Sequence, residues 1–155
     1  MTLSEAEVTA LRDYLLRGGF VWVDDFWGLG EWNNWEHEMA RVLPEVRWQD
    51  IPSEHPILRT LFPLESLPQI PARDFAEDGW THDPPYIHRW PADGVERVNF
   101  RGWFDDDGRL MAVATHNSDV GDGWEREAYG QRYFERYSTV AYAAGVNIVL
   151  YGLID

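Results

Sequence analysis

The N-terminal part of the chain has the pattern of an amphipathic helix followed by a buried strand. The apolar stripe of the helix consists of Val8, Leu11, Leu15 and Leu16. Ser4 and Glu7 have the spacing of a capping box, and Gly18 and Gly19 predict the end of the helix. Residues 20–23 are apolar and β-prone, as is typical of a strand covered on both faces in a parallel sheet. The pattern predicts half of an α/β unit.

Further elements follow along the chain. Residues 31–43 have helical periodicity and are closed by Pro44; the side chains expected to face the core are Trp32, Trp35, Met39 and Val42 or Leu43. The proline-rich stretch 44–71 predicts a short strand at 46–48 and a loop with one helical turn.

The second half of the chain is expected to begin with a long loop over residues 72–99. Residues 101–104 and 109–116 then predict a hairpin across an Asp-rich turn. Residues 117–123 predict an acidic loop leading into a helix from Trp124. The apolar stretch 133–153 predicts either one buried helix broken near Gly145 or a helix followed by a final strand, and its length favours the helix. No linker divides the chain, so residues 1–155 are interpreted as a single α/β domain with a mainly parallel sheet flanked by helices.

Composition removes several classes of chemistry. The chain has 27 acidic and 13 basic residues and a formal charge of -14, which argues against binding to nucleic acid or an anionic membrane. Every basic residue is arginine and there is no cysteine, so lysine and thiol chemistry are excluded. No signal peptide is visible, and the apolar runs are expected to be too short to span a bilayer, which predicts no membrane insertion.

Acidic segments follow two of the predicted strands. Asp24 and Asp25 end the first, and residues 116–125 follow the second. If the strands are neighbours, these segments meet at the carboxyl edge of the sheet, where α/β proteins bind ligands. The predicted ligand-binding residues are Asp24, Asp25, Trp27, His116, Asn117, Asp119, Asp122, Trp124 and Glu125. The carboxylates that could hold a divalent cation are those of Asp24, Asp25, Asp119 and Asp122.

These residues also have a structural explanation. Asp and Asn commonly cap helices and close turns, and most of the nine tryptophans are interpreted as core residues. No histidine pair has zinc spacing; His82 and His88, in the long loop, are interpreted as surface residues. The chain also lacks a serine nucleophile elbow and a complete dinucleotide fingerprint, so neither function is expected.

A series of motifs carries a family resemblance across nearly the whole chain. In order they are Leu11-Arg12-x-Tyr14-Leu15-x-x-Gly18-Gly19-Phe20, Asp24-Asp25-Phe26-Trp27-Gly28, Glu31-Trp32-x-Asn34, Arg41-Val42-Leu43-Pro44, His55-Pro56, Asp106-x-Gly108-Arg109-Leu110-Met111, His116-Asn117-Ser118-Asp119-x-Gly121-Asp122-Gly123-Trp124-Glu125 and Gly145-Val146-Asn147-Ile148 to Tyr151. Together they resemble the bacterial domain-of-unknown-function family 4159.

The resemblance implies a three-layer α/β fold similar to the class I glutamine amidotransferase-like superfamily, or flavodoxin-like. It also implies additional N-terminal strands, so that part of the sheet is missing from this chain or is supplied by another copy. Family members often carry export signals or adjoin membrane-anchored modules, which points to an extracytoplasmic or membrane-associated setting. The superfamily often uses a cysteine that this chain lacks, so amidotransferase or protease activity is not expected.

Three hypotheses of function result. The leading one is a non-catalytic or degenerate ligand-binding domain, with an acidic, Trp-lined pocket for a sugar-like molecule or a cation. The second is a metal-dependent hydrolase that uses the same acids with a histidine. The third is a protein-interaction or oligomerisation module that uses exposed tryptophans or a bare sheet edge, with a homo-oligomer as one form.

Overall fold

The chain forms a four-stranded sheet with helices packed on both faces. A computed structural model describes residues 1–71 and 94–154. The main elements are α1 (Glu5–Leu16), β1 (Val21–Phe26), α2 (Gly28–Val42), β2 (Trp48–Asp50), β3 (Asn99–Phe104), β4 (Leu110–His116), α3 (Val120–Glu125) and α4 (Thr139–Ile154). The short helical turns are Pro56–Arg59, Glu127–Tyr129, Gln131–Tyr133 and Phe134–Ser138. The predicted α/β class is confirmed, whereas most of the predicted long loop, including His82 and His88, lies outside the described residues.

The start of α1 follows the sequence prediction. The hydroxyl of Ser4 accepts a hydrogen bond from the backbone N–H of Glu7, and the Glu7 carboxylate accepts one from the backbone N–H of Ser4. This capping box satisfies two of the N–H groups that a helix start leaves without partners. Val8 and Leu15 are buried, but Leu16 is 61% exposed, so the apolar stripe is narrower than predicted.

The sheet is mixed, and the prediction of a mainly parallel sheet is wrong. Its strand order is β1-β4-β3-β2. Only β1 and β4 are parallel, while β3 is antiparallel to both β4 and β2. The predicted hairpin explains why β3 and β4 are antiparallel, since a short turn after Phe104 reverses the chain. The turn is closed by a hydrogen bond from the Gly108 N–H to the Asp105 carbonyl. A parallel connection needs a crossover of a dozen or more residues.

Among the strands of the described residues, β1 lies at an edge of the sheet and not in its interior. β1 extends beyond the predicted residues to Phe26, so Asp24 and Asp25 belong to the strand, and its first four residues are half-buried. The strand covered on both faces is β4, whose seven residues are all buried. A continuous run of apolar residues predicts a strand covered on both faces. That prediction is confirmed for β4, whereas β1 is less buried than its sequence suggests.

Helices on opposite faces of the sheet form two hydrophobic cores. One core contains α1 and α2 and includes the predicted tryptophans Trp32 and Trp35, together with Trp103 of β3. The other contains α4 and the turn at Pro56–Arg59. The prediction that tryptophans mainly fill the core is confirmed for these three, each less than 10% exposed.

The C-terminal helix is longer than α4 alone. The turns at Gln131–Tyr133 and Phe134–Ser138 run directly into α4, giving a helix from Gln131 to Ile154 of 24 residues. By length and composition it could cross a membrane, so the prediction that every apolar run is too short does not hold here. Core helices of soluble proteins meet the same criterion, and the absence of membrane insertion stays a prediction.

Arg109 ties the end of α1 to the start of β4. Its guanidinium donates to the carbonyl oxygens of Leu15 (2.8 Å) and Gly19 (3.2 Å) and forms an ion pair with Asp105 (3.0 Å). We expect Arg109→Ala to lower the free energy of unfolding by about 1–3 kcal/mol, because carbonyls at the helix end lose charge-assisted partners. Urea unfolding measures the change.

Arg17→Ala is the matched control for Arg109→Ala. Arg17 is 80% exposed and its ion pair with Asp13 is long, at 3.6 Å. Its removal should change the free energy of unfolding by less than about 0.5 kcal/mol. Equal losses in the two variants would contradict the role assigned to Arg109.

Candidate functional site

The two acidic segments lie side by side, as predicted. Phe26 at the end of β1 is paired with His116 at the end of β4. Beyond this pair, the backbone N–H of Asp25 donates to the carbonyl of Ser118 at 3.2 Å, and the backbone N–H of Gly121 donates to Asp24 Oδ2 at 2.7 Å. Direct hydrogen bonds therefore join the segments at the carboxyl ends of the parallel pair.

Both segments turn through left-handed residues. Asp25 has φ of 56° and Asn117 has φ of 62°, and across 1–71 and 94–154 these are the non-glycine residues with positive φ. Such backbone costs on the order of 1 kcal/mol per residue and persists only where surrounding contacts impose it. At Asn117 the side chain supplies them: its Oδ1 accepts from Gly28 N–H (2.8 Å), and its Nδ2 donates to the carbonyls of Gly94 (2.7 Å) and Arg97 (2.8 Å).

Asp24 has a half-buried side chain, and both oxygens of its carboxylate accept hydrogen bonds. Oδ1 accepts from the Thr115 hydroxyl, and Oδ2 accepts from the backbone of Gly121. The Thr115 oxygen itself accepts from the indole N–H of Trp22 at 2.9 Å. Burial raises the pKa of Asp24, while the bonds from Thr115 and Gly121 partly oppose that rise because they favour the ionised form.

Asp119 is the N-cap of α3. Its Oδ1 accepts from the backbone N–H of Asp122 at 2.7 Å. The helix begins at Val120 and not at Trp124, so the prediction of a loop over 117–123 is wrong beyond Asp119. The glycines and acids of this segment are typical of a loop. Asp119 nevertheless starts a helix here, because its side chain caps the first turn.

Asp119 is also the most perturbed acid described at the site. Burial, together with the nearby charges of Asp25, Asp122 and Asp24, raises its pKa to about 8, although the hydrogen bond from the Asp122 N–H acts in the opposite direction. The residue is only 5% exposed, and the raised pKa favours the protonated form of its carboxyl group at neutral pH. Asp25 is exposed, Asp24 and Asp122 are half-buried and Asp119 is buried, so the cluster extends from the surface into the protein.

His116 is buried and both of its ring nitrogens are engaged by the protein. Nε2 lies 2.9 Å from the Gly28 carbonyl, which can only accept, so Nε2 carries the hydrogen. Nδ1 then accepts from the amide of Asn99 at 3.0 Å. Burial lowers the pKa of His116 to about 4, and the positive charge of Arg101 acts in the same direction. The ring is a neutral structural link between β4 and α2.

The remaining predicted residues occupy different places. Trp27 is 4% exposed, and its indole N–H donates to Asp25 Oδ1 at 3.2 Å. Trp124 packs edge-on against Trp22 with ring centres 5.6 Å apart, on the α4 side of the sheet. Asp122 pairs with Arg126 at 3.2 Å, and Glu125 is exposed. The structure thus brings together Asp24, Asp25, Asp119 and Asp122, and places the aromatic rings in packing contacts.

Sequence reasoning missed the residues that hold the acidic segments in place. Ser118 accepts from the Ile70 backbone N–H (3.1 Å) and donates to the Pro68 carbonyl (2.9 Å), and the Asp119 N–H donates to the Ile70 carbonyl. Hydrogen bonds from residues 68–70 thereby fix the position of Ser118 and Asp119. A hydroxyl near the end of an otherwise apolar strand was a usable signal for Thr115. No local pattern linked Ser118 to the proline-rich stretch that contains residues 68–70.

The acids do not form a recognisable metal centre. Within the part of the chain that is described, no group of three or more His, Cys, Asp or Glu residues is arranged to hold a metal ion. Both oxygens of Asp24 and one oxygen of Asp119 already accept hydrogen bonds from the protein. The predicted divalent cation at Asp24, Asp25, Asp119 and Asp122 stays a prediction.

The fold and the site define an α/β domain with a carboxylate cluster beyond a parallel strand pair. A family model matches residues 1–153, and its description is a domain of unknown function, DUF4159. The chain belongs to this family, which confirms the family part of the sequence resemblance. Among curated proteins no match is found.

The proton on Asp119 should make stability depend on pH. Its folded-state pKa is raised above the unfolded value, so from about pH 4 to pH 8 only the folded chain binds this proton. The associated contribution to the free energy of unfolding is fully present at the low end of this range and is lost as pH rises through 8. Asp119→Asn keeps a capping oxygen without the charge. Relative to the parent chain, it should gain at least about 1 kcal/mol of stability between pH 5 and pH 9.

Urea unfolding at the two pH values tests this. Asp106→Asn, in the exposed turn between β3 and β4, controls for the loss of one negative charge. If the stability difference between Asp119→Asn and the parent chain stays constant from pH 5 to pH 9, Asp119 does not hold the proton.

Proposed function

We propose that this chain is a ligand-binding domain whose site is the carboxylate cluster beyond β1 and β4. The ligand is a small polyhydroxylated molecule, such as a sugar. It is contacted first by the exposed carboxylate of Asp25 and then by the more deeply placed side chains of Asp24 and Asp119.

A single observation carries the proposal: the carboxyl groups of Asp24, Asp25, Asp119 and Asp122 lie together beyond the ends of β1 and β4. Burial and the neighbouring carboxylates raise the pKa of Asp119 to about 8. The cluster therefore contains an O–H donor next to carboxylate acceptors. A hydroxyl group both donates and accepts, so this arrangement suits polyhydroxylated ligands. The strained backbone of Asp25 is a second feature that often accompanies binding sites.

A hydrolase that uses a metal and a histidine receives less support. His116 is the histidine of the site, and the Gly28 carbonyl and Asn99 amide occupy its nitrogens. Its lowered pKa of about 4 makes it a weak base at neutral pH. Binding of a cation to the acids stays an alternative, which the thermal-shift experiment described below also tests.

The relation to the class I glutamine amidotransferase-like superfamily stays a hypothesis from the sequence resemblance. The family itself is supported over residues 1–153. The chain has no cysteine, so no thiol nucleophile can be assigned to it. A non-catalytic binding role is consistent with that composition.

Thermal-shift measurements with neutral monosaccharides and with Ca²⁺ and Mg²⁺ test the proposal. We expect one or more sugars to raise Tm saturably at pH 7. Asp25→Asn should weaken this effect about tenfold, because an accepting carboxylate is lost at an exposed position where folding is little affected. Binding should also weaken above pH 8, where Asp119 loses its proton.

Asp106→Asn is the control, because it removes an exposed acid distant from the site and should leave the shift unchanged. Shifts with divalent cations alone, lost in Asp25→Asn, would favour the cation alternative over the sugar. No shift with any sugar would contradict the proposed function.

A further inference from the structure

A small cavity lies between α2 and β2. Its volume is about 350 Å³, which is within the range of pockets that hold small ligands. One face of α2 lines the cavity with residues at helical spacing, which are Asn33, Glu36, His37 and Ala40. The rest of the lining comes from residues 46–48, at the start of β2, and from Trp103 of β3. The helix therefore presents an apolar face to the core and a separate, mostly polar face to the cavity.

The cavity is remote from the carboxylate cluster. Trp103 is paired with Ala112 near the start of β4, whereas the cluster lies beyond His116, the last residue of that strand. From Ala112 to His116 a strand rises about 13 Å. Ile70 and Gly94, near the ends of the described ranges, contact the segment after His116. The cavity and the cluster are therefore separate places on the molecule.

Trp48 gives the cavity an aromatic surface in a fixed orientation. The residue is half-buried, and its indole N–H donates to Glu36 Oε1. The guanidinium carbon of Arg101 lies 4.3 Å from the centre of the ring and covers one of its faces. A ligand that stacks on Trp48 therefore uses the other face. Hydrogen bonding to a carboxylate makes the indole ring more negative, which strengthens its attraction for the weakly positive C–H groups of a ligand.

The polar side chains of the cavity have capacity for a ligand. Asn33 and His37 are exposed, and their side chains form no hydrogen bond with residues 1–71 or 94–154. Glu36 has a second carboxylate oxygen besides the one that Trp48 engages. The charges of Glu36 and Arg47 offset each other, so the lining does not select a charged ligand. Donors and acceptors without excess charge suit the hydroxyl groups of a neutral molecule.

We propose that this cavity binds a pyranose sugar with equatorial hydroxyl groups, as in glucose. The C–H face of the sugar ring stacks on Trp48, and its hydroxyl groups bond with Asn33, Glu36 and His37. An aromatic surface beside uncharged and mutually offset polar groups selects a ligand that is apolar on its faces and polar around its edge. The proposal does not depend on the function proposed for the carboxylate cluster, because the two sites share no residue.

The test is a ¹H–¹⁵N NMR titration of the full chain with methyl β-glucoside at pH 7. We expect a saturable shift of the Trp48 indole N–H resonance, which is assigned by its loss in Trp48→Phe. The indole N–H of Trp27 donates to Asp25 and reports on the carboxylate cluster in the same spectrum. Binding at one site and failure at the other are therefore distinguishable. Sorbitol has similar hydroxyl groups but no ring, so it should bind at Trp48 at least about tenfold more weakly.

Asn33→Ala should weaken glucoside binding about tenfold, because a ligand hydroxyl loses a hydrogen-bond partner. Asn34→Ala is the matched control, since Asn34 is the next residue of α2, is also exposed and does not line the cavity. Equal effects of the two variants, no shift of Trp48 with the glucoside, or equal affinity for sorbitol would overturn the proposal. So would tighter binding of adenosine at Trp48, since the ligand would then be a planar base.

Discussion

The parallel pairing of β1 with β4 is the contact on which the rest of this structure depends. Its register places the end of β1 opposite His116, so that the segments beyond the two strands leave the sheet together. Asp24 then lies beside Thr115, and α3 begins where Gly121 can donate to the same carboxylate. Without this pairing, Asp24, Asp25 and Asp119 would lie in unconnected turns. They would be ordinary caps and not a cluster.

Carboxylates that lie close together repel one another and lose hydration, and two features of the structure reduce this electrostatic cost. Asp24 is given hydrogen-bond donors that favour its ionised form. Asp119 keeps a proton, because burial and the nearby Asp25, Asp122 and Asp24 disfavour its charge. The same compromise supplies the site with both a donor and acceptors. Under the proposed function, stability and ligand binding at the ends of β1 and β4 would both depend on the titration of Asp119.

Local sequence patterns predicted much of the fold. The capping box of α1, the apolar face of α2 and the hairpin of β3 and β4 follow from short-range spacing, and all are present. The parallel sheet did not follow, because apolarity reports burial and not strand direction, and β1 proved to be an edge. The two acidic segments were correctly expected to meet. His116 and Asn117 have structural roles that depend on long-range hydrogen bonds, and no local pattern encodes such bonds. The same is true of the hydrogen bonds between Ser118 and residues 68–70.

The central claim is that the paired strand ends force a proton onto Asp119. The ¹³C resonance of its side-chain carboxyl group, followed by NMR as a function of pH, measures this directly. The account predicts a midpoint near pH 8 that moves to lower pH in Asp25→Asn, because a neighbouring negative charge is removed. A midpoint near the ordinary aspartate value of about 4, unchanged by that substitution, would contradict it.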